Sequence, residues 1–214
     1  MKKSSTFFFW TVLLLSSCGP QCENITLSDG QIHVFLIDYD MEFDSPKAEL
    51  FFYEAMELWG DGQTERALDS FNKAILVEPD NEAIYLEKAN IYAIMSNHSN
   101  AVAHYDAALD RNPEFAIAYA NRGSEKQRLR MYNETIEDFE QAALFGMTHY
   151  TLHLAMAKAY MSKLEFCSAK IIFNKAANLA EGDECAEDFS EIMAYNEIRC
   201  NGQSKWNDSL ILVP

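Results

Sequence analysis

One period organises this chain. Ala55, Ala89, Gly123 and Ala157 stand 34 residues apart, and so do Ala67, Ala101, Thr135 and Ala169. Phe71, Tyr105, Phe139 and Phe173 keep the same interval, as do Ala74, Ala108, Ala142 and Ala176. Two looser columns follow: Phe51, Tyr85, Tyr119 and His153, and Leu58, Tyr92, Lys126 and Tyr160. Pro79 and Pro113 close the first two units at one phase, where Met147 and Glu181 stand in the last two. A fixed period of this length means stacked copies of one supersecondary unit.

Within a unit such as 82–115, apolar positions recur three and four apart, which predicts two amphipathic helices. The small residues let the two helices approach closely, and the aromatic at Tyr105 fills the space between them. A proline after the second helix cannot continue it. One helical hairpin cannot bury its apolar face alone, but the next one stacked on it can.

These columns resemble the tetratricopeptide repeat, most clearly in FAIAYANRG at 115–123 followed by NETIEDFEQAA at 133–143. The resemblance covers residues 48–183 as four units, 48–81, 82–115, 116–149 and 150–183. It implies an all-α superhelix, a solenoid of helix-turn-helix repeats. Residues 184–199 continue a helical pattern and are expected to cap the last hairpin. The tail 200–214 follows. Glu54, Lys88 and Arg122 depart from the family at an often apolar place, Lys126 replaces an aromatic in unit three, and His153 replaces one in unit four. Helix packing in unit three is expected to loosen, or Lys126 to snorkel past its neighbours.

The resemblance also places a groove on the first helices. Its positions are Phe52, Met56 and Trp59 in unit one and Leu86, Asn90 and Ile94 in unit two. Unit three gives Asn121, Ser124, Gln127 and Arg128, and unit four Leu154, Lys158 and Met161. The groove is expected to be apolar at its N-terminal end and polar-basic beyond. The run KQRLR at 126–130 fits an acidic segment of a partner, or else neighbouring acids and the end of a helix. One subclass of the family grips a terminal carboxylate. Asn90 and Asn121 match two of its places, but Leu86, Thr151 and Ala155 stand where it needs cations, so that clamp is incomplete.

The first residues read differently. Lys2 and Lys3 precede the apolar run FFFWTVLLL at 7–15, with Ser16, Ser17 and Cys18 after it. That is the layout of a secretory signal, and the run is too short for a lasting transmembrane helix. Leu15-Ser16-Ser17-Cys18 resembles the lipobox of bacterial lipoproteins. The resemblance implies that 1–17 are removed and that Cys18 is acylated, with more than one chain needed for stable anchoring. Gly19, rather than aspartate, implies the outer membrane, facing the periplasm or the surface. Four glycosylation triplets, at Asn24, Asn97, Asn133 and Asn207, leave a eukaryotic secretory reading as the alternative.

The chain carries 17 basic and 33 acidic side chains, a net charge of −16. Removing 1–17 takes away two lysines and no acid, which leaves −18. Such a protein repels phosphate backbones and anionic headgroups, so nucleic acid is excluded as a partner class and any membrane contact is assigned to lipid. Residues 18–47 form a tether and an acidic segment. In it Phe35, Ile37, Tyr39, Met41 and Phe43 alternate with Asp38, Asp40, Glu42 and Asp44. That period of two predicts an extended segment laid against the first repeat. The acids, with Glu49, also fall at the ligand positions of a calcium loop, but Phe43 stands where its turn needs glycine.

Besides Cys18, the cysteines are Cys22, Cys167, Cys185 and Cys200. A capping helix about 20 Å long keeps Cys185 and Cys200 apart. As an antiparallel neighbour it brings Cys200 to Cys167, which favours that pair; Cys22 then reaches Cys185 or stays free, and four free thiols remain the alternative. No phosphate loop, nucleophile elbow or HExxH helix is present. His149 and His153 share a helix face, but His153 falls in a packing column and no third ligand is near. Cys167 lies at a helical turn with nothing to mark it as a nucleophile. The sequence therefore predicts no enzyme, no cofactor and no metal. It predicts a lipid-anchored scaffold for protein partners at the bacterial envelope, in assembly or secretion. The alternative is an envelope accessory protein that binds a cation or small ligand through its acidic segment.

Overall fold

Helix formation follows the repeat. In the computed structural model, which describes residues 26–28, 31–33, 41–180 and 193–202, unit one holds α1 (Pro46–Gly60) and α2 (Thr64–Val77). Unit two holds α3 (Glu82–Ile94) and α4 (His98–Arg111), and unit three α5 (Ala116–Arg128) and α6 (Tyr132–Leu144). Unit four holds α7 (Tyr150–Ser162) and α8 (Phe166–Leu179). Residues 193–202 form a further helix, α9. Ahead of the array lies an antiparallel ladder of β1 (Thr26–Ser28) and β2 (Gln31–His33), with Leu27 opposite Ile32. The signal segment, Cys18, Cys22, Asp38, Asp40, Cys185, the start of the expected capping helix at 184–192 and the tail beyond 202 lie outside the described residues.

The four strict columns are the core. All four residues of the column Ala67, Ala101, Thr135 and Ala169 are fully buried, as are Ala74, Ala108, Ala142 and Ala176. Phe71, Tyr105, Phe139 and Phe173 fill the space between the helices of each hairpin. At Gly123 even a Cβ would come within 2.9 Å of the Phe139 ring, so unit three takes glycine where the others take alanine. The looser columns are only partly buried at Phe51, Tyr119, Leu58, Tyr92, Lys126 and Tyr160. Buried apolar side chains fall into two clusters, one around Phe52, Phe71 and Ile84 and a larger one through units two to four.

Two further 34-residue patterns emerge only in three dimensions. Gly62, Ser96, Arg130 and Leu164 all have positive φ, between 58° and 74°. Each ends a first helix in the same way: its amide and that of the next residue donate to carbonyls of the last turn, as Leu164 and Glu165 do to Met161 and Tyr160. This closure satisfies carbonyls that the helix end leaves orphaned. The paired bonds impose the left-handed residue even where the side chain disfavours it.

The second pattern explains Glu54, Lys88 and Arg122. Each bonds a residue 16 positions away on a second helix: Ser70 donates to Glu54, Lys88 to Asn72, and Arg122 to Asp138 and Asp106. Asp138 lies in its own hairpin and Asp106 in the preceding one, so Arg122 ties two units together. Lys126 reaches Asp138 as well, at 2.9 Å. The expected loosening of unit three is therefore offset by a buried charge network. Burial alone would lower the Arg122 pKa, but Asp138 and Asp106 hold it above its ordinary value.

In unit two the same position of the second helix is His104, stacked on Tyr92 at 5.2 Å. Burial, and then Lys88, push its pKa down to about 4. The unfolded chain therefore binds a proton near pH 6.5 that the folded chain refuses until about pH 4. Stability falls as pH is lowered through that window. Melting curves between pH 7 and 4.5 are expected to show a shallower decline for His104→Gln than for the wild type. Equal slopes would show that His104 protonates freely in the fold.

α9 closes the C-terminal end. Cys167 and Cys200 form a disulfide with Cα atoms 4.7 Å apart. Lys170 pairs with Glu197, Phe166 meets Tyr195 edge-on, and Asn196 is buried against Met161. Lys170 and Cys167 follow in reverse order to their partners Glu197 and Cys200, so α9 runs antiparallel to α8, the arrangement that favours this pairing.

Candidate protein-binding face

The first helices form an inner layer. α3 touches α5 and α5 touches α7 directly, besides each helix's contacts with its own hairpin partner. At the centre of this layer Asn90 of α3 faces Asn121 of α5. The Asn90 Oδ1 accepts from the Tyr105 hydroxyl at 2.7 Å and from Asn121 Nδ2 at 3.1 Å. Its Nδ2 donates to Glu87. One turn along α5, Glu125 is buried and takes Nδ1 of His98 at 2.6 Å and Nε of Arg128 at 3.7 Å. Burial, then Glu125 and Glu87, push the Tyr105 hydroxyl pKa well up, so it stays a donor.

The groove positions divide. In unit one Phe52 is not a liner: it is buried against Phe43 and Phe71, while Met56 and Trp59 are half-buried at the edge of the same cluster. In unit two Leu86 and Asn90 are buried and Ile94 is 52% exposed. In unit three Asn121 is buried and Ser124, Gln127 and Arg128 are half-buried. In unit four Leu154 is buried, with Lys158 and Met161 half-buried. Of the two readings of the basic run, the pairings agree with neighbouring acids. Lys126 pairs with Asp138 at 2.9 Å and Arg128 lies beside Glu125 at 3.7 Å. Glu125 was not singled out by the sequence. An acid within the run EKQR reads as a solvated charge, and only the stacking of α5 on α4 buries it.

The histidines serve the helix itself. His149 Nδ1 accepts from the Thr151 amide and caps α7, and His153 lies buried beneath it with its Nδ1 near the His149 carbonyl. Burial lowers the His153 pKa. Among the described residues no group of three or more His, Cys, Asp or Glu is placed to hold a metal ion. Of the acidic segment, the Glu42 carbonyl accepts from Asn81, and the Asp44 amide donates to Glu78.

The profile of the tetratricopeptide repeat matches residues 82–115, the whole of unit two. The fold is that of a tetratricopeptide-repeat protein. Among solved structures, MamA from residue 41 to its end, from Desulfovibrio magneticus RS-1, superposes with a TM-score of 0.65 at 15% identity, over 78% of this chain and 93% of that one. The first such domain of Spaghetti (RPAP3), bound to the HSP90 peptide SRMEEVD, gives 0.53 at 20% identity, over 57% and 98%. A TPR repeat-containing thioredoxin, TDX, from Arabidopsis thaliana is 27% identical over 90 residues, 42% of this chain and 24% of that protein. The chain spans about a quarter of the length of the curated relatives it matches. In the tetratricopeptide fold, binding surface rather than catalytic machinery is what the stacked hairpins offer.

Proposed function

We propose that this protein is a lipid-anchored scaffold at the bacterial envelope whose inner face holds a segment of a protein partner, in assembly or secretion. The observation that carries it is the continuous layer of α3, α5 and α7, with amide side chains at its centre and Ile94 exposed one turn beyond Asn90. An apolar surface with a few polar groups fixed beside it is the usual make-up of a ligand site. The envelope reading rests on the signal and Cys18, and the Cys167–Cys200 disulfide agrees with an oxidising compartment. No described helix is long and apolar enough to cross a membrane.

A free chain terminus of the SRMEEVD kind is not the expected ligand. Leu86, Thr151 and Ala155, buried and uncharged, stand where a carboxylate would need cations. An internal, extended segment fits better.

Crosslinking in native membranes tests the reading. Cys18→Ala is expected to leave the membrane fraction and to lose palmitate label. Ile94→Glu is expected to stay in the membrane and to recover a defined partner at least tenfold less than wild type. Equal recovery by Ile94→Glu would remove the inner face as the site, and retention of Cys18→Ala in the membrane would remove the anchor.

A further inference from the structure

We propose that the ladder of β1 and β2 occupies the inner face in cis and competes there with the partner's extended segment. The inference rests on the reading of this face as protein-binding. The ladder precedes unit one in sequence, yet β2 lies against α5 and α7, the first helices of units three and four. The expected extended segment laid against the first repeat is described only from Met41 on, and that end lies on unit one. There Phe43 packs on Phe52, and Glu78 accepts the amides of Asp44 and Ser45.

Burial along the layer agrees with a covered face. Leu86, Asn90, Asn121 and Leu154 are buried although the chain is alone. α3 and α7 bury nine of their 13 residues each, whereas α4 and α8 bury four of 14. A helix with one side in water buries a single stripe. The first helices owe much of this to neighbours on several sides, as α3 has α2, α4 and α5, and on α5 and α7 β2 adds a further element.

An isolated ladder of two such short strands is marginal in water, so its order must come from the helices beneath it. Only seven residues separate β2 from Met41. A tether of that length gives an effective concentration of order millimolar. A partner segment must outcompete it, and its apparent affinity is reduced by the fraction of chains in which the face is free.

Amide hydrogen exchange on the full chain tests this without a partner. In the wild type, residues 26–33 are expected to exchange at least tenfold more slowly than in an isolated peptide of residues 22–40. In His33→Pro, which removes a ladder amide, α5 and α7 are expected to exchange at least threefold faster, with α1 and α2 unchanged. Excess peptide 22–40 is expected to restore their protection. Exchange of 26–33 at the peptide's rate overturns the proposal and leaves the partner reading standing. So does identical exchange of α5 and α7 in a Thr26→Pro/His33→Pro chain. A protected ladder with no protein captured by either form removes the partner reading, and the competition with it.

Discussion

Phe139→Ala is expected to cost about 3–5 kcal/mol of unfolding free energy. The ring is fully buried between α5 and α6, and its edge lies where a side chain at position 123 would begin. Backbone on that side cannot follow a shrinking side chain, so a cavity remains. The loss is a large share of the 5–15 kcal/mol that holds an ordinary domain. Position also matters. A solenoid is held by its hairpins and by the interfaces between them, and unit three is the link from unit two to unit four. Urea unfolding followed by circular dichroism is expected to show a lowered midpoint and a broadened or split transition. Phe139→Leu, which keeps most of the volume, is expected to lose less. A cost below about 1 kcal/mol for the alanine variant would mean that the hairpin collapses onto the gap.

Asp138→Ala is expected to cost about 2–3 kcal/mol, below the 3–5 typical of a broken buried pair because Arg122 keeps Asp106. The variant strands Lys126 and leaves Arg122 with Asp106 alone. Arg122 and Lys126 are both largely buried, and Asp138 is the acid they share. Unit four supplies the control. Its residues at the three equivalent positions are Met156, Tyr160 and Ile172. The triple variant Arg122→Met, Lys126→Tyr, Asp138→Ile therefore carries an apolar solution the fold already uses. It is expected to recover most of the loss, since replacing a buried ion network with packed apolar groups is often neutral or better. Raising the salt concentration is expected to move the wild type little, because buried pairs are poorly screened. A single-variant cost under about 1 kcal/mol would show instead that water reaches the pair.

The repeat was legible because the same positions are buried in every unit. Ala67, Phe71 and Ala74 are as fully buried as Ala169, Phe173 and Ala176, and close packing keeps the same residue sizes 34 apart. The polar departures at Glu54, Lys88 and Arg122 were visible as departures, but their resolution was not. Each partner lies 16 residues away on another helix, and it is found only once the hairpins are closed and stacked. The positive φ of Ser96, Arg130 and Leu164 left no trace in residue type, because hydrogen bonds at the helix end select that conformation and not the side chain.

The groove was read less well for a related reason. Family positions name the face of a helix, but not what lies on that face. Phe52 belongs to the core because Phe43 returns over it, and Glu125 is buried with His98 because α5 stacks on α4. By itself the sequence determined the helices, their pairing into four hairpins and the aromatic core, since these depend on periodic burial within a unit. The tertiary structure decided which charges cancel, where β2 lies and which groove positions are covered. Those depend on distances between residues far apart in the chain, and a local pattern carries no record of them.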